Sequence, residues 1–230
     1  MKPMFDRSKC WYKDVCEHFN SDNLCNHACI RYLEMRFLME SSGIPEARQQ
    51  PMYLSPEEED LQAFRQLKTI KDDILEFVKL GSNLYIYSEK LGNGKTTWAI
   101  KLLQKYFDIV WCGNCFKIRG LFVNVPTFLS KLKFNIQDKD EAFDKFRKKL
   151  FDVDLVVWDD IAANKLTDYE HSILLTFIDQ RKLNNLSNIY TGNLGEKELF
   201  EALGNRLSSR VWNDSFRIKF FGEDRRHSKW

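Results

Sequence analysis

Leu84-Tyr85-Ile86-Tyr87-Ser88-Glu89-Lys90-Leu91-Gly92-Asn93-Gly94-Lys95-Thr96-Thr97 is the stretch on which the reading of this chain turns. An aromatic and β-branched run ends in a glycine-containing turn, and Trp98-Ala99-Ile100-Lys101-Leu102-Leu103 continues as a helix. That order is strand, phosphate loop, helix. The backbone N–H groups of such a turn point at an anion, and the helix N-terminus adds its positive dipole end. Lys95 is placed to reach the β- and γ-phosphates of a nucleotide, and the Thr96 hydroxyl to hold Mg²⁺. Gly92, Asn93, Gly94 and Thr97 complete the expected nucleotide-binding loop. One departure stands out: Glu89 occupies the first position of the P-loop pattern, where glycine is usual.

The second decisive stretch is Val153-Asp154-Leu155-Val156-Val157-Trp158-Asp159-Asp160. A continuous apolar run marks a strand buried on both faces of a parallel sheet. Open α/β sheets place their chemistry at the carboxyl ends of such strands, where this run carries two acids. Asp159 is expected to hold Mg²⁺ through water with Thr96, and Asp160 to polarise the attacking water. Ser187-Asn188-Ile189-Tyr190-Thr191 reads as a further strand, followed by Gly192-Asn193-Leu194. Asn193 is placed to orient water near the γ-phosphate.

Around these stretches the chain reads as alternating helices and strands. Helices are expected from Cys29 to Glu40, from the Ser55-Pro56-Glu57-Glu58 start, over 70–80, after Pro126, over 142–150, 167–183 and 196–203. Further strands are expected at 120–125 and 216–220, and a polar loop at 135–141. The 64–74 region is the expected seat of the nucleotide base. Lys145, Arg147, Lys148 and Lys149 make the 142–150 helix basic, which equally fits a solvated face.

Composition bounds the class. The chain has 230 residues, 43% hydrophobic and 30% charged, so it can bury a core and is neither disordered nor fibrous. A net charge of +2 is too small to indicate a nucleic-acid partner by itself. Eighteen Phe and six Trp fill a core or serve stacking surfaces. With no long apolar run and no apolar leader, the expectation is a cytoplasmic protein without membrane contact.

Four of the six cysteines, Cys10, Cys16, Cys25 and Cys29, fall in a C-x5-C-x8-C-x3-C pattern. Four thiolates in so short a segment can surround one Zn²⁺, with His18 or His27 as possible substitutes; four free thiols are the alternative. A metal would explain how residues 1–24, poor in aliphatic side chains, hold together. Cys112-Gly113-Asn114-Cys115 reads as a loop with incidental thiols. The broad apolar stripe over Ile30, Leu33 and Phe37 serves either a partner or the protein's own domain. Three prolines within 41–56 mark a boundary, giving a cysteine-rich domain over 1–50 and an ATPase domain over 51–230.

The order P-loop, Leu-Val-Val-Trp-Asp-Asp, Asp-Gln-Arg, Thr-Gly-Asn-Leu and Leu-Gly-Asn-Arg-Leu-Ser-Ser-Arg resembles the DnaC/DnaI-type replicative helicase loaders of the AAA+ class. The likeness is to their bacteriophage and phage-derived members above all, and the transposition ATPase IstB shares much of the set. It spans roughly residues 55–227. It implies an α/β fold: a P-loop AAA+ core with a central parallel sheet flanked by helices, preceded by a small zinc-binding helical domain. Lys95 and Thr96 then resemble Walker A, Asp159 and Asp160 Walker B, and Asn193 sensor 1. Arg206 resembles an arginine finger offered to a neighbouring subunit, with Arg210 beside it, and Arg225 or Arg226 resembles sensor 2. Many AAA+ proteins carry Glu where Asp160 stands, which implies slow, partner-stimulated hydrolysis. The cofactors implied are ATP, Mg²⁺ and Zn²⁺. The implied partners are a DnaB-type replicative helicase, single-stranded DNA and further copies of the chain. Arg119, Lys131 and Lys133 are candidate DNA-backbone contacts. Two other readings compete: an IstB-like transposase helper on duplex DNA, and a non-hydrolysing adaptor suggested by Glu89.

Overall fold

The structure, a computed structural model, describes residues 6–21, 23–111, 116–138 and 140–224. Arg225, Arg226, Cys112 and Cys115 lie outside them. Eight α-helices and five strands are formed among the described residues: α1 (Ile30–Ser41), α2 (Leu61–Asp72), α3 (Ile74–Lys79), β1 (Asn83–Tyr87), α4 (Lys95–Ile109), β2 (Gly120–Asn124), α5 (Val125–Asp138), α6 (Glu141–Lys149), β3 (Leu155–Asp159), α7 (Asp168–Leu183), β4 (Ser187–Gly192), α8 (Glu196–Ser208) and β5 (Phe216–Lys219). The strands pair in parallel in the order β2-β3-β4-β1-β5. Helices cover both faces, so every residue of β3 and β4 is buried and the strands read as apolar runs.

Alternate side chains serve opposite faces. Leu84, Ile86, Leu155, Val157 and Ile189 pack on one side with helices α1 to α4. Tyr85, Val156, Trp158 and Tyr190 pack on the other with helices α5 to α8. Among the described residues, no helix is long and apolar enough to cross a membrane.

Local differences from the expected elements have physical causes. The start expected at Ser55–Glu58 becomes a 3₁₀ turn, Glu58–Asp60, and α2 opens at Leu61. Asp60 is buried there, and its Oδ1 accepts the N–H groups of Phe221 and Gly222 at 2.7 and 3.2 Å. That carboxylate is therefore committed to the far end of the chain. Helix α5 runs on to Asp138, into the polar stretch expected to be loop. Asp140 instead caps α6, accepting from the N–H groups of Ala142 and Phe143.

The cysteine-bearing segment docks on its own domain. Leu38, Met39 and Ile44 share one hydrophobic cluster with Leu67 of α2 and Ile100 of α4. Arg31 binds Asp108 at 2.9 Å and lies 3.8 Å from the centre of the Tyr12 ring. The Ser42 carbonyl accepts the Phe122 N–H at 2.7 Å, covering part of the open edge of β2. The break expected near residue 50 is thus not a break in the hydrophobic core.

Arg181, at the end of α7, is fully buried without a carboxylate on its guanidinium. Its five N–H groups are used instead on oxygens. Nε donates to Asn188 Oδ1 at 2.7 Å, Nη1 to the carbonyls of Leu150 and Val153 at 2.8 and 2.9 Å, and Nη2 to those of Ser187 and Asp154 at 2.6 and 3.4 Å. Burial pulls its pKa down to about 10, so it remains a cation at neutral pH. The side chain joins α7 to the starts of β3 and β4. Replacing it, as in Arg181→Met, strands these oxygens without donors. Denaturant titration of this variant is expected to show a loss of about 3–5 kcal/mol, with Arg181→Lys recovering only part.

Candidate nucleotide site

The loop between β1 and α4 takes its shape from two glycines. Gly92 and Gly94 have φ of 69° and 101°, in the left-handed region that disfavours a Cβ. Gly94 is the N-cap of α4, so the unpaired N–H groups of the first helical turn open toward the loop. Lys95 is buried beneath it and donates to the Lys90 carbonyl at 2.8 Å and to Asn93 Oδ1 at 3.2 Å. Asn93 is buried too, its Nδ2 donating to Ser88 Oγ at 2.7 Å. The loop is therefore braced from within.

Glu89, at the position where the P-loop pattern has glycine, turns away from the cleft. Its φ is not in the left-handed region, so nothing in the backbone calls for glycine there. Its carboxylate accepts from Lys219 Nζ on β5 at 2.8 Å, which lowers its pKa, and it does not line the cleft.

Strand β4 lies between β1 and β3, which brings Thr191 beside both acids. Thr191 Oγ1 donates to Asp159 Oδ1 at 2.7 Å and accepts the Asp160 N–H at 3.0 Å. The Thr191 carbonyl accepts the Ile161 N–H at 3.0 Å. Asp160 itself has φ of 56°, an uncommon conformation for a non-glycine residue, and these bonds hold it there. Burial pushes the Asp160 carboxyl above the ordinary carboxylate range, Asp159 adds to the push, and Lys95 and Arg48 oppose it. A carboxylate so placed is a better proton acceptor than an exposed one. Asn124 Nδ2, 3.4 Å from Asp159 Oδ2, approaches from β2.

Gly192 is required by close approach: a Cβ there would stand 2.5 Å from Tyr85 Oη. That hydroxyl donates to the Leu194 carbonyl at 2.9 Å and so fixes the turn that carries Asn193.

These elements surround one cleft of about 1090 Å³. Gly92, Asn93, Gly94, Lys95, Thr96, Thr97, Asp159, Asp160 and Asn193, all expected at the nucleotide, line it together. Several other expectations are corrected. The 64–74 region does not reach the cleft; Phe64 and Leu67 are buried in the core, and the walls come from Gly43, Pro45, Arg48 and Leu54 on one side and Phe143 and Phe146 on another. Arg119, a candidate DNA contact, binds Asp154 at 2.5 Å beside Tyr106 in a half-buried pair. Lys133 binds Glu170, the residue that also closes the capping box of α7. Lys131 lines the cleft. Arg206 is outside the cleft and largely exposed, 3.1 Å from Asp179 Oδ2, while Arg210 holds the other oxygen of that carboxylate at 2.7 Å.

The amino-terminal cysteines are free thiols, with Cys10 and Cys25 buried and Cys16 and Cys29 half-buried. Burial raises the Cys10 thiol pKa. No group of three or more His, Cys, Asp or Glu side chains is arranged to hold a metal ion among the described residues. The expected zinc shell is therefore not closed as the chain stands.

Sequence reasoning missed Thr191, Asn124, Tyr85 and Arg48. Thr191 was legible in part, since it opens the Thr-Gly-Asn-Leu motif. The others depend on strand order and on the path of the amino-terminal segment.

No protein-family model matches the chain. A protein of Escherichia coli (strain K12), "Uncharacterized protein YdaV", is 26% identical over 202 residues, covering 85% of this chain and 73% of that protein. The crystal structure of the DnaC helicase loader superposes with a TM-score of 0.61 at 18% identity, covering 74% of this chain and 94% of that one. The replication initiator DnaA bound to AMPPCP and single-stranded DNA gives 0.59 at 15% identity, over 74% of this chain and 49% of that one. At these identities the likeness is one of fold, a parallel sheet with flanking helices.

The Thr191 hydroxyl serves both acids, so Thr191→Val, which keeps the side-chain shape, isolates it. ATP turnover by the variant is expected to fall by about 10–100-fold while nucleotide binding is retained, measured by phosphate release and equilibrium binding.

Proposed function

We propose that this protein is an ATPase that assembles with copies of itself and delivers a replicative hexameric helicase onto single-stranded DNA. ATP binding and hydrolysis switch assembly and release. One observation carries the reading. Lys95, Thr96, Asp159, Asp160 and Asn193 meet in one cleft, whereas Arg206 stands outside it with its guanidinium exposed. That separation suits an arginine supplied to a neighbour's site. The fold likeness to DnaC and DnaA supports the same reading.

In this mechanism the loop N–H groups and Lys95 take the β- and γ-phosphates. The Thr96 hydroxyl and Asp159 would hold Mg²⁺, which would supply charge neutralisation on the phosphate oxygens. Asn193 orients the attacking water, whose oxygen bonds to the γ-phosphorus as Asp160 takes its proton, and the bond from the γ-phosphorus to the ADP oxygen breaks to give ADP and phosphate. Arg206 of an adjacent subunit stabilises the charge that develops. Arg225 or Arg226, beyond the described residues, fits the sensor 2 role by resemblance. The non-hydrolysing adaptor loses its motive, because Glu89 pairs with Lys219.

The amino-terminal segment is the proposed helicase contact, with seven basic and seven acidic residues over 1–50 and thus little attraction for DNA. It presents Val15, Leu24 and Ile30 to solvent at 74%, 57% and 55% exposure. Because α1 shares the core, the test uses the full chain. Wild-type protein is expected to capture the replicative helicase and stimulate unwinding of protein-covered single-stranded DNA with ATP. The triple variant Val15→Asp, Leu24→Asp, Ile30→Asp is expected to keep nucleotide binding and lose the helicase. Mixing Arg206→Ala with Lys95→Ala chains is expected to restore part of the turnover that each lacks. If both proteins ignore the helicase, and duplex DNA alone stimulates turnover, the transposase-helper reading takes its place.

Zn²⁺ at Cys10, Cys16, Cys25 and Cys29 belongs to the same proposal, supported by their number and their spacing in the sequence. Elemental analysis of the purified chain is expected to give about one zinc per chain. Cys25→Ser is expected to lower that content and raise hydrogen exchange over residues 6–40. A native protein free of metal would remove the assignment.

A further inference from the structure

We infer that Arg48 binds the terminal phosphate of the nucleotide held by its own subunit, and thereby makes the amino-terminal segment responsive to ATP against ADP. The inference rests on the nucleotide reading of the cleft and adds to it a residue acting within one subunit, distinct from Arg206.

Arg48 closes the 3₁₀ turn Glu46–Arg48, its side chain exposed at the cleft wall that also holds Lys95, Thr96, Asp159 and Asp160. It lines the same cleft as Lys95, Thr96, Asp159 and Asp160, and its charge acts on Asp160 in the same sense as that of Lys95. An arginine there meets the one group that distinguishes the two nucleotides. Its planar fork suits phosphate oxygens, and its charge persists at any working pH.

The backbone beneath this side chain is fixed. The Arg48 N–H donates to the Pro45 carbonyl at 2.8 Å. The next carbonyl, that of Gln49, accepts from Gln104 Nε2 at 3.2 Å and from Trp11 Nε1 at 2.7 Å. Gln49 Nε2 donates back to the Ile44 carbonyl at 3.0 Å. Gln104 is on α4, the helix whose first turn carries Lys95 and Thr96, so the turn is tied to the body of that helix. Trp11 lies between Cys10 and Cys16 and packs on Tyr32 of α1 at a ring separation of 5.6 Å. A displacement of Arg48 toward phosphate is thus transmitted to the cysteine-bearing segment through one carbonyl and one indole.

The test measures binding of ADP and of a non-hydrolysable ATP analogue, each with Mg²⁺, to the full chain. Wild type is expected to prefer the ATP analogue. Arg48→Ala is expected to lose about tenfold or more of its affinity for the analogue while its affinity for ADP changes little, and Arg48→Lys to recover part of the loss. Lys95→Ala, by contrast, weakens both nucleotides. Hydrogen exchange over residues 6–50 should differ between the analogue and ADP states in wild type, and this difference should vanish in Arg48→Ala. An unchanged ratio of the two affinities in Arg48→Ala, an equal weakening of both, or persistence of the exchange difference overturns the inference while leaving the nucleotide site standing. Failure of the wild type to bind either nucleotide overturns the reading of the cleft itself.

Discussion

Strand β4 is held at both ends by polar side chains, and the rest of the fold depends on that. It is buried along its whole length between β1 and β3, where an unpaired polar group would be costly. At its start, Arg181 brings a cation into the interior and satisfies all its donors on the carbonyls and amide of the surrounding chain. Asn188 extends the network, accepting from Trp158 Nε1 at 3.0 Å and donating to Asn83 Oδ1 at 2.9 Å. At its finish, the Thr191 hydroxyl joins the two acids of β3. Three strands are thus locked in register by side chains at their amino ends and at the site. A slip of one residue would turn their side chains to the wrong face and undo both sets of bonds.

This arrangement links stability to chemistry. The uncommon backbone conformation of Asp160 is held by its bond to Thr191, and its carboxyl pKa is raised by burial and then by Asp159. Strain and desolvation at that residue are offset by the close-packed sheet behind it. Tyr85 acts similarly on the other neighbour of β4: its ring lies over Gly192, and its hydroxyl fixes the turn bearing Asn193. The reactive side chains sit at strand ends, while the residues that aim them lie one strand away.

The amino-terminal segment is part of the same mechanical unit. It covers the edge of β2 through Ser42, packs α1 against α4, and places the 44–49 turn on the rim of the cleft. A segment joined to the phosphate-loop helix in this way is suited to reporting the occupancy of the cleft to whatever binds its outer face. Its exposed side chains, Val15, Leu24 and Ile30, are far more apolar than its balanced charge suggests.

The sequence by itself determined the glycine-shaped turn ahead of Lys95, the parallel character of the sheet and the two acids at a strand end. Each is carried by a local pattern: glycines ahead of Lys95, apolar runs at β3 and β4, and acids at the end of one such run. Only the tertiary structure decided the order of the strands, because register and adjacency depend on contacts between segments far apart in the chain. That order put Thr191 between Asp159 and Asp160. It also set β5 beside β1, where Lys219 draws Glu89 away from the cleft. Charge alone could not sort the basic residues: Arg119 and Lys133 are committed to acids within the fold, Arg206 is exposed beside Asp179, and Arg48 reaches the cleft. A side chain's type fixes what it can bind; its neighbours in space fix what it does bind.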